Sequence, residues 1–472
     1  MRGRKERFNT IGPSILFSFS ISPSLHSSSS SHQLHHRLWM PGRWTSQRLG
    51  RNLARTSCVR PGPRPLDRPL NRRVPQTPHQ AIGVNQNIPG SRTLFTSAIP
   101  PILVPPVLFV GLLLGLWTWK CFWIIVMQDK LLYLSWLPPF ARSESVQDYA
   151  AECKPVQWEE KQIRSLDGTK LAVCEGRMPT PRPRENSPKG RRRQVVICYF
   201  QGNGGSTPMR LPLLSQVLRT IRDSKASTSL EDVDYIVTTL SYRGYWTSSG
   251  RATQSGIQRD AQAFLNWVAQ TYSEPDVDLQ VILWGHSLGS AVASTALATY
   301  LSRDRDGEAP AQTQPPLHIS GMVMEAPTSS IKDMLISLYP QKWLPYRYLW
   351  PFSWNNWDNT TAMKRMAQWR DQKNPAADER ETLSPLLAHS IPPILILSAE
   401  NDEVIPPYLA GDLHRSGRAL GLDIEWKQVP GAMHIEAPVK PDGRKALVEF
   451  LFRATSSVHS NADDRSIKKP ET

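Results

Sequence analysis

At 472 residues the chain is long enough to bury one large core with room to spare, and 40% hydrophobic with 21% charged residues is a globular composition on average. The formal net charge of +15 does not mark a nucleic-acid-binding core, because residues 1–99 hold fifteen Lys and Arg against Glu6 and Asp67 while the remainder is nearly neutral. Five cysteines, Cys58, Cys121, Cys153, Cys174 and Cys198, show neither C-x-x-C nor zinc-ligand spacing, which argues against a disulfide framework and a metal site.

Residues 1–95 include SPSLHSSSSSH and RPGPRPLDRPLNRR, stretches too poor in apolar side chains to offset the entropy of ordering, and are expected to be disordered or processed. The stretch MPGRWTSQRLGRNLARTS is rich in Arg and Ser and free of acids, as mitochondrial transit segments are. From Ala98 to Trp119 there is no charge, and after Lys120 the apolar run resumes as CFWIIVM. We expect one transmembrane anchor over 98–127, with its helix opening at Pro106 in the first turn and ending near Met127, about 22 residues and enough to cross a bilayer. Lys120 can snorkel and Trp117, Trp119 and Trp123 suit an interfacial belt; a buried core helix is the alternative. The distant arginines favour N-inside, but Arg92 against Lys130 and Arg142 leaves orientation open. A single-pass endoplasmic reticulum or endomembrane protein is expected, with a mitochondrial membrane as the alternative.

Beyond the anchor, short apolar runs alternate with helical patterns. VQWEEKQIR, TKLAVCEG, QVVICYF, DYIVTTLSY, LQVILW, LHISGMVMEA, PPILILSA and LDIEWKQV read as strands. MRLPLLSQVLRTI, QRDAQAFLNWVAQTY, the Ala-rich run after Ser287, a stretch near 407–420 and RKALVEFLFRA read as helices. The alternation predicts an α/β fold over 140–455, with a mostly parallel central sheet and helices on both faces. PTPRPRENSPKGRRR and RDRDGEAPAQTQPP read as surface loops, and 456–472 as a disordered tail.

In such sheets chemistry gathers at the carboxyl ends of the strands. LQVILW runs directly into Gly285-His286-Ser287-Leu288-Gly289, a G-x-S-x-G between a strand and a helix, where the glycines make room for a strained serine. A serine needs a base, and the base a third group that holds its tautomer and balances its charge. Chain order Ser, acid, His is supplied by Ser287, Asp402 after PPILILSA, and His434 after LDIEWKQV. Glu400 and Glu403 compete with Asp402 from the same loop and Glu325 from the previous strand, while His286, His318, His389 and His414 are the other imidazoles; spacing before VIPP favours Asp402, and the Gly-containing loop favours His434. The oxyanion donors expected are the backbone N–H of Leu288 and of Asn203 in Gln201-Gly202-Asn203-Gly204-Gly205. That loop lacks a following G-K-[ST] or G-x-G-x-x-G, so neither nucleotide nor any other cofactor is expected, and no metal.

QDKLLYLSWLP, YFQGNGGS, SYRGYWTSSGRATQSGIQRDAQAFLNWV, WGHSLGSAVA, MEAPTSSIKDM, SAENDEVIPP and GAMH, in this order and spacing over roughly 105–455, resemble the membrane-anchored α/β-hydrolase domain proteins, a group that includes lysophospholipid and monoacylglycerol lipases and protein depalmitoylases. The resemblance implies the α/β-hydrolase fold and the same roles for Ser287, Asp402 and His434. Gln201 departs from the family's His-Gly opening, and Trp246 stands where the family carries Gly, with a bulk expected to narrow the rim. LYPQKWLPYRYLWPFSWNNWDNTTAMKRMAQWR reads as part of a small cap, about 335–385, whose Trp343, Trp350, Trp354 and Trp357 meet an acyl chain or bilayer, or else simply pack on the core. Asn359-Thr360-Thr361 is a glycosylation sequon if this side is luminal. The expected function is a membrane-anchored serine hydrolase cleaving ester or thioester bonds of lipid-like acyl substrates; the alternative is a non-catalytic lipid- or protein-binding protein of the same fold. Substrate lipid and membrane are the expected partners, nucleic acid is not, and protein partners are not legible.

Overall fold

Runs of β-branched and apolar residues form the centre of one eight-stranded sheet in a computed structural model that describes residues 100–179, 192–225, 233–303, 317–373 and 391–456. The expected disorder of 1–95, the tail beyond 456, His389 and the two polar loops fall wholly or almost wholly outside the described residues. The strands are β1 Gln157–Arg164, β2 Lys170–Arg177, β3 Arg192–Phe200, β4 Val233–Ser241, β5 Val277–His286, β6 Ile319–Glu325, β7 Ile394–Ala399 and β8 Ile424–Val429. Their order is β1-β2-β4-β3-β5-β6-β7-β8. β1 and β2 form an antiparallel edge, and every pairing from β4 onward is parallel. All eight coincide with the runs read as strands.

The helices are α1 Val104–Val126, α2 Gln128–Leu132, α3 Ala150–Cys153, α4 Leu211–Lys225, α5 Gln254–Tyr272, α6 Leu288–Arg303, α7 Ile331–Leu338, α8 Asn359–Lys373, α9 Tyr408–Ala419 and α10 Pro441–Ser456. Crossovers between parallel strands place them on both faces. One face buries Leu214 and Val217 of α4 with Phe450 and Leu451 of α10. The other buries Phe264 of α5, Val292 of α6, Met363 of α8 and Leu413 of α9. Cys198 on β3 is fully buried on the face of the sheet that packs against α5, α6, α8 and α9.

Two expectations about helices change. The apolar helix begins earlier than expected: a 3-10 turn over Pro101–Leu103 leads into α1 at Val104, because prolines in a first turn lack only N–H groups that have no intrahelical partner anyway. Pro101–Val126 is long and apolar enough to cross a membrane, with mean hydropathy 2.0 and none of its best window buried. The cap also divides. α8 joins the helical layer through Ala362, Met363, Met366 and Ala367, and Trp357 joins the same core, so within the described part of 335–385 the segment that stands apart precedes Trp357.

Candidate active site

The carboxyl ends of β3, β5, β7 and β8 share one edge of the parallel part of the sheet. At the end of β5, Ser287 takes φ 53°, the left-handed conformation that an L-residue reaches only under strain. The glycines around it have a steric cause. A Cβ on Gly285 falls 2.2 Å from the Gly289 carbonyl oxygen, and one on Gly289 falls 2.0 Å from that of Phe200. Strand, elbow and β3 thus meet with no room for side chains. The turn is fixed by Ser287 N–H donating to the Glu325 carbonyl at 2.8 Å and by Ser290 Oγ donating to the Ser287 carbonyl at 2.6 Å.

Asp402 and His434 come from the loops after β7 and β8, adjacent parallel strands. His434 Nδ1 lies 2.8 Å from Asp402 Oδ2 and 3.0 Å from Oδ1, and both side chains are nearly buried. Asp402 Oδ1 also accepts from the N–H of Val404 and Ile405 at 2.9 and 2.7 Å, an Asx-type turn that locks its rotamer. The rival acids are occupied otherwise. Glu403 accepts from the backbone N–H of His434 at 3.0 Å, and Glu400 from that of Gly431 at 2.8 Å, so both tether the histidine loop. The rival histidines that are described lie elsewhere or face inward: His318 Nδ1 is 3.0 Å from Ser320 Oγ, and His414 on α9 has its ring 6.0 Å from that of Trp426 on β8.

Ser287 and His434 reach the same rim, since the ring of His286, the serine's chain neighbour, is 5.0 Å from the ring of His434. Among the described residues, no hydrogen bond joins the Ser287 hydroxyl to that imidazole. Such contacts commonly tighten only when substrate is bound. Leu288 opens α6, where the first N–H groups have no intrahelical partner. The Asn203 loop is held by its carbonyl, which accepts from Tyr245 Oη at 3.0 Å and from Leu134 N–H at 2.8 Å. Gln201, in place of the family's His, is buried, with its Oε1 accepting from Thr207 Oγ1 at 2.9 Å.

A second polar layer lies beneath, and Arg210 in it was not among the residues the sequence singled out. Fully buried Glu325, at the end of β6, accepts from Arg210 Nη2 at 3.2 Å and from Trp284 Nε1 at 2.9 Å, while Arg210 Nε donates to Tyr199 Oη at 2.9 Å. Burial pushes the Glu325 carboxyl above its usual range against the pull of Arg210. Burial lowers the Arg210 guanidinium, but Tyr199 and Glu325 more than offset it. His286 Nε2 sits 3.7 Å from Glu325 without a hydrogen bond, and burial, then the charges of Arg210 and His434, hold its imidazole well below 6.5. His286 is therefore a neutral wall behind His434. The sequence signal for Arg210 is only indirect: a buried Glu needs a cation, and the fold chooses which.

Two further expectations are corrected here. Trp246 does not narrow the rim; at φ 39° it turns inward, 2% exposed, and its Nε1 donates to the Glu144 carbonyl at 2.7 Å. Asn359 is fully buried, its Nδ2 donating to the Thr328 carbonyl at 2.7 Å and its Oδ1 accepting from Ser294 Oγ at 2.6 Å, so the folded chain offers no glycan acceptor there.

The chain is similar to known proteins and to a family model. The alpha/beta hydrolase domain-containing protein WAV2 of Arabidopsis thaliana is 24% identical over 315 residues, 66% of this chain and 83% of that protein. The lysophosphatidylserine lipase ABHD12 of Danio rerio is 28% identical over 221 residues, 46% of this chain and 46% of that protein, so the chain spans less than half the length of that relative. An esterase structure from Pyrococcus furiosus aligns at TM-score 0.40 and 16% identity, over 66% of this chain and 94% of that one. The profile of the Alpha/beta hydrolase family matches residues 215–449, from α4 to α10 and across the strand ends that carry Ser287, Asp402 and His434, and the chain belongs to that family.

Proposed function

We propose that this protein is a serine hydrolase, anchored by α1 to an endomembrane, that cleaves the carboxylic ester or thioester of a lipid-like acyl substrate. The observation that carries the reading is the 2.8 Å contact between His434 Nδ1 and Asp402 at the strand edge where Ser287 is strained outward. A carboxylate on Nδ1 leaves the other ring nitrogen unprotonated and free to act as base. Ser287 Oγ then attacks the acyl carbonyl carbon, its proton passes to His434 Nε2, and Asp402 balances the imidazolium. The oxyanion is held by the N–H groups of Leu288 and Asn203 at the start of α6 and the end of β3. Collapse expels the alcohol or thiol, which takes the proton from His434, and water releases the acyl group from Ser287 by the same steps in reverse. No cofactor enters these steps.

A lysophospholipid, the class in the name of the Danio rerio relative, is the first substrate to test. The decisive experiment is labelling of the full chain in detergent by a fluorophosphonate probe. Wild type is expected to label and Ser287→Ala is not. Equal labelling of the two, or none of a folded sample, rejects the enzyme and leaves a lipid- or protein-binding role.

A further inference from the structure

Between α7 and the buried Trp357, the chain makes two short 3-10 turns, Pro345–Tyr348 and Trp350–Phe352, and leaves large apolar side chains in the open. Leu338 is 51% exposed, Trp343 67%, Tyr348 53%, Phe352 60% and Trp354 55%. A group of exposed aromatics on one arm marks a surface built for a partner. The arm is not loose, because it is fastened along α1. The Trp343 ring lies 5.8 Å from that of Trp117, Lys120 Nζ is 4.3 Å from the centre of the Tyr346 ring, and Trp354 donates its N–H to Gln128 Oε1 and its Nε1–H to Asp129 Oδ1, both at 3.0 Å.

Trp117 precedes the end of α1 by nine residues, about 13 Å along the axis at 1.5 Å per residue. The arm therefore follows the last part of α1, where a crossing helix passes from the headgroup layer into the outer hydrocarbon. Trp and Tyr favour that layer, and a lysine there snorkels outward. Charge agrees: the arm carries Lys342 and Arg347 and no acid, and on the preceding α7 Lys332 has its Nζ 4.5 Å from the centre of the Trp350 ring while Asp333 is already occupied by two serine hydroxyls. On the other side of the same junction, Leu134 N–H donates to the Asn203 carbonyl and Gly205 N–H to that of Leu137 at 2.7 Å. The loop of the candidate oxyanion donor is thus tied to the chain as it leaves α1.

We propose that residues 338–354 lie in the headgroup layer of the bilayer that α1 crosses, with Trp343 and Phe352 as inserted anchors, so that the site takes its acyl lipid laterally from the membrane. This rests on the reading of α1 as an anchor, and it sharpens the proposed substrate to a lipid resident in the bilayer.

The test uses the full chain, with Cys58→Ser and Cys121→Ser, reconstituted in vesicles of phosphatidylcholine and phosphatidylserine. Single cysteines at Trp343→Cys, Phe352→Cys, Leu112→Cys in α1 and Glu159→Cys on β1 each carry an environment-sensitive fluorophore. Labels at 343 and 352 are expected to be quenched by lipid bearing a shallow spin label, the one at 112 by a deep one, and the one at 159 only by aqueous iodide. If 112 is quenched but 343 and 352 behave like 159, the proposal fails while the anchor stands. If 112 is not quenched, the anchor fails and the proposal with it. If 343 and 352 are shielded from lipid and iodide alike, a protein covers the arm, which also overturns the proposal. As a second readout, Phe352→Glu is expected to lower hydrolysis of a vesicle-embedded lysophospholipid about tenfold while sparing a short water-soluble ester. Equal rates on both substrates contradict lateral delivery, whereas a wild type inactive on both refutes the hydrolase reading and leaves the quenching result to stand by itself.

Discussion

The carboxylate of Glu403 accepts the backbone N–H of His434 at 3.0 Å, one residue along from Asp402, which accepts the same histidine's ring at 2.8 Å. Two neighbouring acids thus hold one histidine, the first by its main chain and the second by its side chain. Their replacements are expected to differ. Asp402→Asn removes the charge that fixes the tautomer and should lower kcat by roughly 10⁴-fold with KM little changed. Glu403→Gln, which keeps the shape and an acceptor oxygen, should cost no more than about tenfold. Steady-state kinetics on a short ester measures both, and a larger loss from Glu403→Gln than from Asp402→Asn would reverse the assignment of the acid.

Gly289 lies where a Cβ would be 2.0 Å from the Phe200 carbonyl oxygen, an approach no side chain can relax because both partners are backbone. Gly289→Ala should destabilise the fold by about 4 kcal/mol or more, in the range that marks a specific steric failure. Gly431→Ala, at φ 62° with nothing within 4 Å, should cost only about 1 kcal/mol. Chemical denaturation in detergent distinguishes the two.

Arg210 is the cation that Glu325 faces in the layer below the candidate site, at 3.2 Å. Arg210→Ala leaves a buried carboxyl with no counter-charge and should cost about 3–5 kcal/mol. The double replacement Arg210→Met with Glu325→Leu should recover much of that loss, since two apolar side chains need no pairing. A double variant no more stable than Arg210→Ala would mean that the pair is not the source of the loss.

Arg243 joins the turn between β1 and β2 to α5, with Nη1 2.8 Å from Asp167 and Nη2 2.6 Å from fully buried Asp260. Hydrogen bonds from Arg243 and Thr169 hold the Asp167 carboxyl well below its ordinary value of 3.8. A depressed carboxyl contributes stability that is present above the ordinary value and is lost as pH falls below it toward the folded-state value. Denaturation midpoints should accordingly decline below about pH 4 in wild type and less steeply in Asp167→Asn. Arg243→Ala, which strands Asp260, should cost about 3–5 kcal/mol at neutral pH.

Elements that repeat a local pattern are legible in the chain. QVVICYF and LQVILW are long enough in β-branched and apolar residues to be strands buried on both faces, and the crossovers between them force a parallel sheet. G-x-S-x-G is legible because its glycines stand at fixed offsets on either side of the serine, although the atoms that exclude a Cβ there include the Phe200 carbonyl oxygen of β3. Chain order after successive strands also brought Asp402 and His434 forward, since parallel strands must end on one edge.

The remaining features depend on partners distant in sequence. Asp402, Glu400 and Glu403 are equivalent as letters, and they separate only when one carboxylate meets a ring while the others meet backbone N–H groups. Trp246 is expected at the rim and Asn359 stands in a sequon, yet the fold supplies the Glu144 carbonyl for one and Ser294 and Thr328 for the other, and so can bury both. The four clustered tryptophans part for the same reason: Trp357 finds the Tyr133 hydroxyl at 2.9 Å and goes inside, while Trp343, Trp350 and Trp354 stay exposed. Whether a polar or aromatic group is buried is set by the partner that satisfies it, and a linear sequence does not say which groups will meet.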